Sequence, residues 1–177
     1  MKGTGARNES QVCSQAAFLE FYDRVAGEVS RYFVRGVLGD RAAAEDLTQE
    51  AFAAVVVAAR AGRPDALTLP WVMGVARHKL VDHYRRSAAD ERRLARVWSR
   101  TSESVEFDAL DSCDPARVLE MMRNLSPEYR LVLVLKYVDE QPAQEIATTL
   151  HRSLHATNSL LSRARRALAH SLTEEQS

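Results

Sequence analysis

No glycine follows Gly74 in this 177-residue chain; all seven lie at or before that position. Tight strand-reversing turns rely on residues that accept positive φ, glycine first among them. The second half is therefore poorly equipped to build a sheet, and no run bounded by Gly-rich turns reads as a strand. Alanine, leucine and arginine, all good helix formers, dominate instead. The chain is predicted to be all-α.

Apolar spacing of three and four predicts a first helix from Ala16 to about Arg35, with Ala17, Phe18, Phe21, Tyr22, Val25, Val29, Tyr32 and Phe33 on its inner side. Gly36 to Gly39 breaks it. Asp40 can cap a second helix to about Arg60, with Ala44, Leu47, Ala51, Val55 and the Val56–Val57 pair facing inward. Gly62 to Pro70 reads as a loop, and Pro70 suits the first turn of a third helix reaching Arg86 or beyond. Asp114–Pro115 and Ser126–Pro127–Glu128 repeat the pattern of a capping side chain before a first-turn proline. The run Leu131 to Leu135 has the composition of a buried strand, but its Ser-Pro-Glu start and helical flanks favour a buried helix.

At roughly 150 residues per domain the length allows one domain or two small ones. The expected organisation is two small helical domains, 16–95 and 115–172. A flexible acidic linker over 96–114 joins them, and polar tails occupy 1–15 and 173–177. With 46% apolar and 27% charged residues the balance is globular. The longest uncharged apolar stretch, Ala51 to Ala59, falls well short of the about 18 residues a membrane span needs, and Met1 to Gln15 lacks a signal peptide's apolar centre. Stable membrane insertion is not expected. Cys13 and Cys113 are widely separated, without a CxxC pattern, which argues against a disulfide framework and fits a cytoplasmic protein.

The formal net charge is zero, but it is unevenly distributed. Pro70 to Arg100 carries eight basic residues against three acidic ones; Thr101 to Asp114 carries five acids and no base; His151 to Leu172 carries four arginines and no acid. Basic, acidic and basic blocks suggest two nucleic-acid-facing surfaces flanking a linker. Solvated helix faces would look the same on charge alone.

Pro142 to Leu168 reads as a helix-turn-helix. Ala143, Ile146, Ala147 and Leu150 form one stripe, His151–Arg152–Ser153 is a short turn, and Ser153 can cap the next helix. There Leu154, Thr157, Leu161, Ala164 and Leu168 form a narrow apolar seam. The opposite face carries His155, Ser159, Ser162, Arg163 and Arg166. Short hydroxyls allow close approach and hydrogen bonds to base edges, and arginines supply charge for phosphates. A helical hairpin with a basic surface is the plainer alternative.

Three motifs in order make the chain resemble the extracytoplasmic-function sigma factors, the compact two-domain specificity subunits of bacterial RNA polymerase. They are Ala44-Glu-Asp-Leu-Thr-Gln-Glu-Ala-Phe52; Trp71-Val-Met-Gly-Val-Ala-Arg-His-Lys-Leu-Val-Asp-His-Tyr-Arg-Arg86; and Leu125-Ser-Pro-Glu-Tyr-Arg130 through Glu145-Ile-Ala147 to Arg163-Ala-Arg165. The resemblance covers about Phe18 to Leu172.

The resemblance implies that Glu45, Asp46, Gln49, Glu50 and Phe52 dock on core RNA polymerase. A polar, acidic surface of that kind would repel DNA, and a helix dipole accounts for Glu45 and Asp46 but not for Gln49. It implies that Trp71, Arg77, His78, Lys79, Arg85 and Arg86 face the minus-ten promoter element, where melting needs aromatic surface and backbone neutralisation. Val75, one turn after Trp71, argues that this indole belongs to the core rather than to the DNA surface, and Asp82 can pair with Arg86. His155, Ser159, Ser162, Arg163 and Arg166 would read the minus-thirty-five element. The acidic linker would thread through the enzyme, and an anti-sigma factor is a further partner the family implies. Three departures stand out. His78 occupies a position where asparagine is common, Glu140 and His151 replace glycines, and Ala156 and Leu160 replace polar residues that often touch DNA.

An enzyme is not expected. No nucleophile with a paired base and no phosphate-binding glycine motif is present, and His151 with His155 lacks a third metal ligand nearby. No metal or other cofactor is expected. The rival readings are a helix-turn-helix regulator that binds duplex DNA without being a polymerase subunit, and a protein-only adaptor. The regulator would not need the Glu45–Phe52 surface, and the adaptor would show no salt-dependent DNA affinity.

Overall fold

A computed structural model describes residues 5–94 and 115–174, with side chains placed over 16–63, 65–91 and 118–171. The predicted linker, 96–114, lies outside the described residues. Every described regular element is helical. They are α1 (Gly5–Gly36), α2 (Arg41–Arg60), a 3-10 turn (Pro64–Leu67), α3 (Leu69–Leu94), α4 (Pro115–Asn124), α5 (Pro127–Tyr137), α6 (Ala143–Leu150) and α7 (Leu154–Glu174). Helix α1 takes in residues 5–15, expected as tail, and α7 takes in 173–174. The segment read as a loop before α3 contains the 3-10 turn, anchored by the fully buried Ala66 and by Thr68 Oγ1 donating to the Asp65 carbonyl at 2.7 Å.

Contacts divide the chain into two compact units, Met1–Leu80 and Val81–Ser177, so the last part of α3 groups with the second. In the first unit α1 packs along α2. Phe21, Val25, Val29, Tyr32 and Phe33 meet Ala44, Leu47, Ala51 and Val55, with Val72, Ala76 and Leu80 of α3 completing the core. Asp40 accepts from the Ala43 amide at 3.1 Å and caps α2 as predicted. The turn before it is a Schellman closure: the Gly39 amide donates to the Val34 carbonyl at 2.7 Å and the Leu38 amide to Arg35 at 3.1 Å. Leu38 holds a left-handed φ of 56° there, and its side chain, 1% exposed, stabilises a conformation leucine otherwise avoids. Gly36 is required by proximity, since a Cβ would lie 2.8 Å from a methyl of Leu80.

Three inward assignments in this unit are corrected. Tyr22 is 39% exposed and Ala17 is exposed. Val57 is 68% exposed, because at about 100° per residue it points nearly opposite Val55.

In the second unit α5 is the central helix. Leu131 to Leu135 are all buried, since α5 packs on both α6 and α7. A helix that is apolar on all sides is one covered on all sides, which is why the same five residues also suited a strand. Ser126 accepts from the Tyr129 amide at 3.4 Å and caps α5. Arg130 closes the helix before it: Nε donates to the Met122 carbonyl at 3.2 Å, and Nη2 to those of Arg123 and Leu125 at 2.6 and 2.8 Å. These carbonyls lie at and just past the end of α4, where the helix's own amides run out.

Candidate nucleic-acid interface

On α2, Glu45, Asp46 and Gln49 are exposed on one side of the helix. Ala53 and Val57 continue that side at steps of four from Gln49. Glu50 is half-exposed and receives Lys79 Nζ at 3.0 Å, an ion pair that ties α2 to α3. Phe52 is 5% exposed. Its ring lies edge-on to Tyr22 at 4.6 Å and to Phe18 at 6.5 Å, so it supports the acidic side from beneath.

On α3, Trp71 and Arg77 are half-buried and His78 is exposed. His78 Nδ1 donates to the Gly74 carbonyl at 2.8 Å. Trp71, Arg77, His78 and Lys79 belong to the first unit, and Arg85 and Arg86 to the part of α3 that groups with the second. Asp82, expected to pair with Arg86, lies 3.9 Å from Arg85. Between Val81 and Ala88 the helix keeps one face dry: Tyr84 is 2% exposed, and burial pushes its hydroxyl well above the ordinary tyrosine range.

The helix-turn-helix is formed by α6 and α7. Helix α6 ends in a second Schellman closure, with the Arg152 amide donating to the Ala147 carbonyl at 2.9 Å and the His151 amide to Thr148 at 3.2 Å. His151 sits at the left-handed position with φ 54°, and Glu140 before α6 has φ 53°. Both positions demand the geometry that glycine adopts most easily. Ser153 Oγ accepts from the Ala156 amide at 3.1 Å, the cap expected for α7. Arg152 forms an ion pair with Glu128 of α5, which holds the turn against the central helix.

Helix α7 presents His155, Ser159, Ser162, Arg163 and Arg166 together, all exposed. Arg163 Nε donates to the Ser159 carbonyl at 3.4 Å and Arg166 Nη2 to Ser162 Oγ at 3.3 Å, so both guanidinium groups lean back along the helix. The inner seam is wider than predicted. Thr157, Leu161, Ala164 and Leu168 are buried, but so are Leu160 and Ala169, whereas Leu154 is 42% exposed. Leu160 is therefore a core residue, not a gap in the reading surface. The sequence reading missed Asn158, which is exposed on the same surface. Its spacing of three from His155 and four to Ser162 was the available signal. An asparagine there can bond bidentately to adenine.

Among the described residues no group of three or more His, Cys, Asp or Glu side chains could hold a metal ion. No described helix is long and apolar enough to cross a membrane.

Comparison with known proteins matches residues 17–89 to Sigma-70 region 2 and residues 116–168 to Sigma-70, region 4. The chain is 28% identical over 166 residues to the ECF RNA polymerase sigma factor BldN of Streptomyces coelicolor, covering 90% of this chain and 61% of that one. It is 32% identical over 121 residues to the ECF RNA polymerase sigma factor SigF of Caulobacter vibrioides, covering 67% and 64%. The chain thus spans less than two thirds of the length of these curated relatives. Among solved structures it resembles the sigma factor RpoE of Bartonella quintana, crystallised with the anti-sigma factor NepR. The TM-score is 0.53 at 16% identity, over 88% of this chain and 96% of that one, a likeness of fold.

Proposed function

The chain belongs to the extracytoplasmic-function sigma factors of the sigma-70 family, and from that premise we propose that it directs core RNA polymerase to specific promoters as a non-catalytic, cytoplasmic subunit. The observation that carries the reading is the pairing, in one chain, of an exposed acidic helix with a separate helix-turn-helix whose outer face bears hydroxyls and arginines. An acidic surface disfavours DNA and suits a protein partner, and a hydroxyl–arginine surface suits the major groove.

In this mechanism Glu45, Asp46 and Gln49 bind the polymerase, with Glu50 and Phe52 shaping that surface. Trp71, Arg77, His78, Arg85 and Arg86 engage the minus-ten element, with Lys79 aligning that helix on α2 through Glu50: the arginines neutralise backbone, and the aromatic surface receives unstacked bases. His155, Ser159, Ser162, Arg163 and Arg166 engage the minus-thirty-five element as duplex. The linker threads through the enzyme, its carboxylates mimicking nucleic-acid charge. An anti-sigma factor is a further proposed partner, supported by the complex in which the RpoE relative was crystallised.

Run-off transcription with purified core polymerase, followed by mapping of start sites, tests the proposal. Expected are defined start sites that require the chain and share upstream elements at two positions. Sequence-specific binding to duplex DNA without any effect on initiation would instead establish the regulator reading.

A further inference from the structure

Sequence kinship and packing disagree over the end of α3. Residues up to 89 match Sigma-70 region 2, yet from Val81 onward the helix groups with the unit that holds the helix-turn-helix. Val81, Tyr84 and Ala88 recur at three and four, forming one stripe, and are 3%, 2% and 8% exposed. Tyr84 and Ala88 close one side of a cavity of about 300 Å³, whose other side is Leu131 of α5, Leu150 of α6 and Leu160 of α7. The Arg130 guanidinium stands over the Tyr84 ring, 5.9 Å from its centroid, and is fixed there by its bonds to the carbonyls at the end of α4. Arg85 Nη2 makes a long hydrogen bond, 3.5 Å, to the carbonyl of Leu150, the last residue of α6, where a helix end concentrates negative charge. An apolar stripe, a ring and an arginine thus seat the end of α3 on the helix-turn-helix unit.

That seat and promoter recognition exclude each other. In the proposed function Arg85 and Arg86 engage the minus-ten element while α7 reads the minus-thirty-five element. Those elements lie about 25 base pairs apart, roughly 85 Å of duplex at about 3.4 Å each. With a persistence length of about 150 base pairs, the duplex does not fold back over so short a span. Resting on the proposed function, we propose that the end of α3, seated through Tyr84 and Arg85, is an autoinhibitory latch. It is closed in the free chain and opens when core polymerase and promoter draw the two DNA-reading surfaces apart. Closure lowers the apparent affinity for the promoter by the fraction of chains that are open. The latch therefore sets how much chain initiation requires, without contacting a base.

The test uses the full chain with Cys13→Ser and Cys113→Ser, carrying Ala88→Cys on α3 and Glu128→Cys on α5, two residues that line the same cavity. A reducible bis-maleimide should join the two new cysteines within one free chain. The joined chain should bind duplex upstream element within about 2-fold of the reduced chain, because the outer face of α7 stays exposed. With core polymerase on a mapped promoter it should initiate at least about 10-fold less, and reduction should restore initiation. Three results overturn the latch and leave the proposed function intact. They are cysteines that fail to join, a joined chain that initiates as well as the reduced one, and a joined chain that loses duplex binding as fully as initiation. Failure of the parent and the reduced chain alike to initiate specifically overturns the proposed function, and the latch with it.

Discussion

Arg163 and Arg166 share the exposed face of α7, but their surroundings separate their roles. Arg163 leans on the Ser159 carbonyl and adjoins Ser162 in sequence, whereas Arg166 donates to the Ser162 hydroxyl and starts further along toward the helix end. A bidentate base contact supplies about 1–3 kcal/mol of discrimination at one base pair, and a phosphate contact weakens all sequences alike. Arg163→Ala should therefore change the preference at one upstream base pair while polymerase binding persists, as read by binding at two salt concentrations. Arg166→Ala should lower the salt slope by about one unit without altering preference. Lys79 presents the opposite case, since its ammonium is already engaged by Glu50 across α2 and α3. Both side chains keep about a third of their surface exposed, so the pair contributes at most about 1 kcal/mol to stability. Its weight lies in alignment: Lys79→Glu should impair initiation, and Lys79→Glu with Glu50→Lys should recover most of it. A double variant no better than the single one would place Lys79 on a phosphate.

At the scale of single elements, the two Schellman closures make opposite forecasts from the same backbone geometry. A left-handed non-glycine residue costs about 1–2 kcal/mol. His151 is exposed, so His151→Gly removes that strain and loses little, and should raise stability by about 1 kcal/mol in urea unfolding. Leu38 is 1% exposed, and burying a leucine side chain contributes about 1.5–3 kcal/mol. Leu38→Gly should therefore lower stability, the lost burial exceeding the relieved strain. Gly36→Ala should destabilise by about 1–3 kcal/mol, because the new methyl meets Leu80 in a packed core. Equal stability of Gly36→Ala and parent would mean that the Leu80 side chain can move away from a Cβ that would otherwise lie 2.8 Å from it.

For the whole molecule, the functional proposal depends on surfaces that do not compete for one partner. Asp46→Arg with Gln49→Ala alters only exposed positions of α2 and leaves its core, Ala44, Leu47, Ala51 and Val55, untouched. That variant should lose co-purification with core polymerase while retaining its helicity and the upstream-element binding of its helix-turn-helix. Retained co-purification would move the polymerase contact off α2.

Much of this organisation was legible in the residues because it is local. Asp40, Ser126 and Ser153 cap the helices they precede, since a capping hydroxyl or carboxylate acts on amides two or three residues away. The outer face of α7 follows from the helical repeat, so His155, Ser159, Ser162, Arg163 and Arg166 were found by spacing alone. Local pattern could not decide what depends on which neighbours arrive. Val57 reads as core by type and is solvent-facing, because the inward side of α2 is set by where α1 packs. Leu160 reads as a surface position and is buried, because the second unit needs a wider seam on α7 than one stripe provides. Lys79 reads as one of the cations facing DNA and is held by Glu50, 29 residues away in sequence. Helix, cap and amphipathic face arise from interactions within a turn or two, which a sequence displays directly. Burial and ion pairing arise from groups that only the folded chain brings within hydrogen-bonding and packing distance.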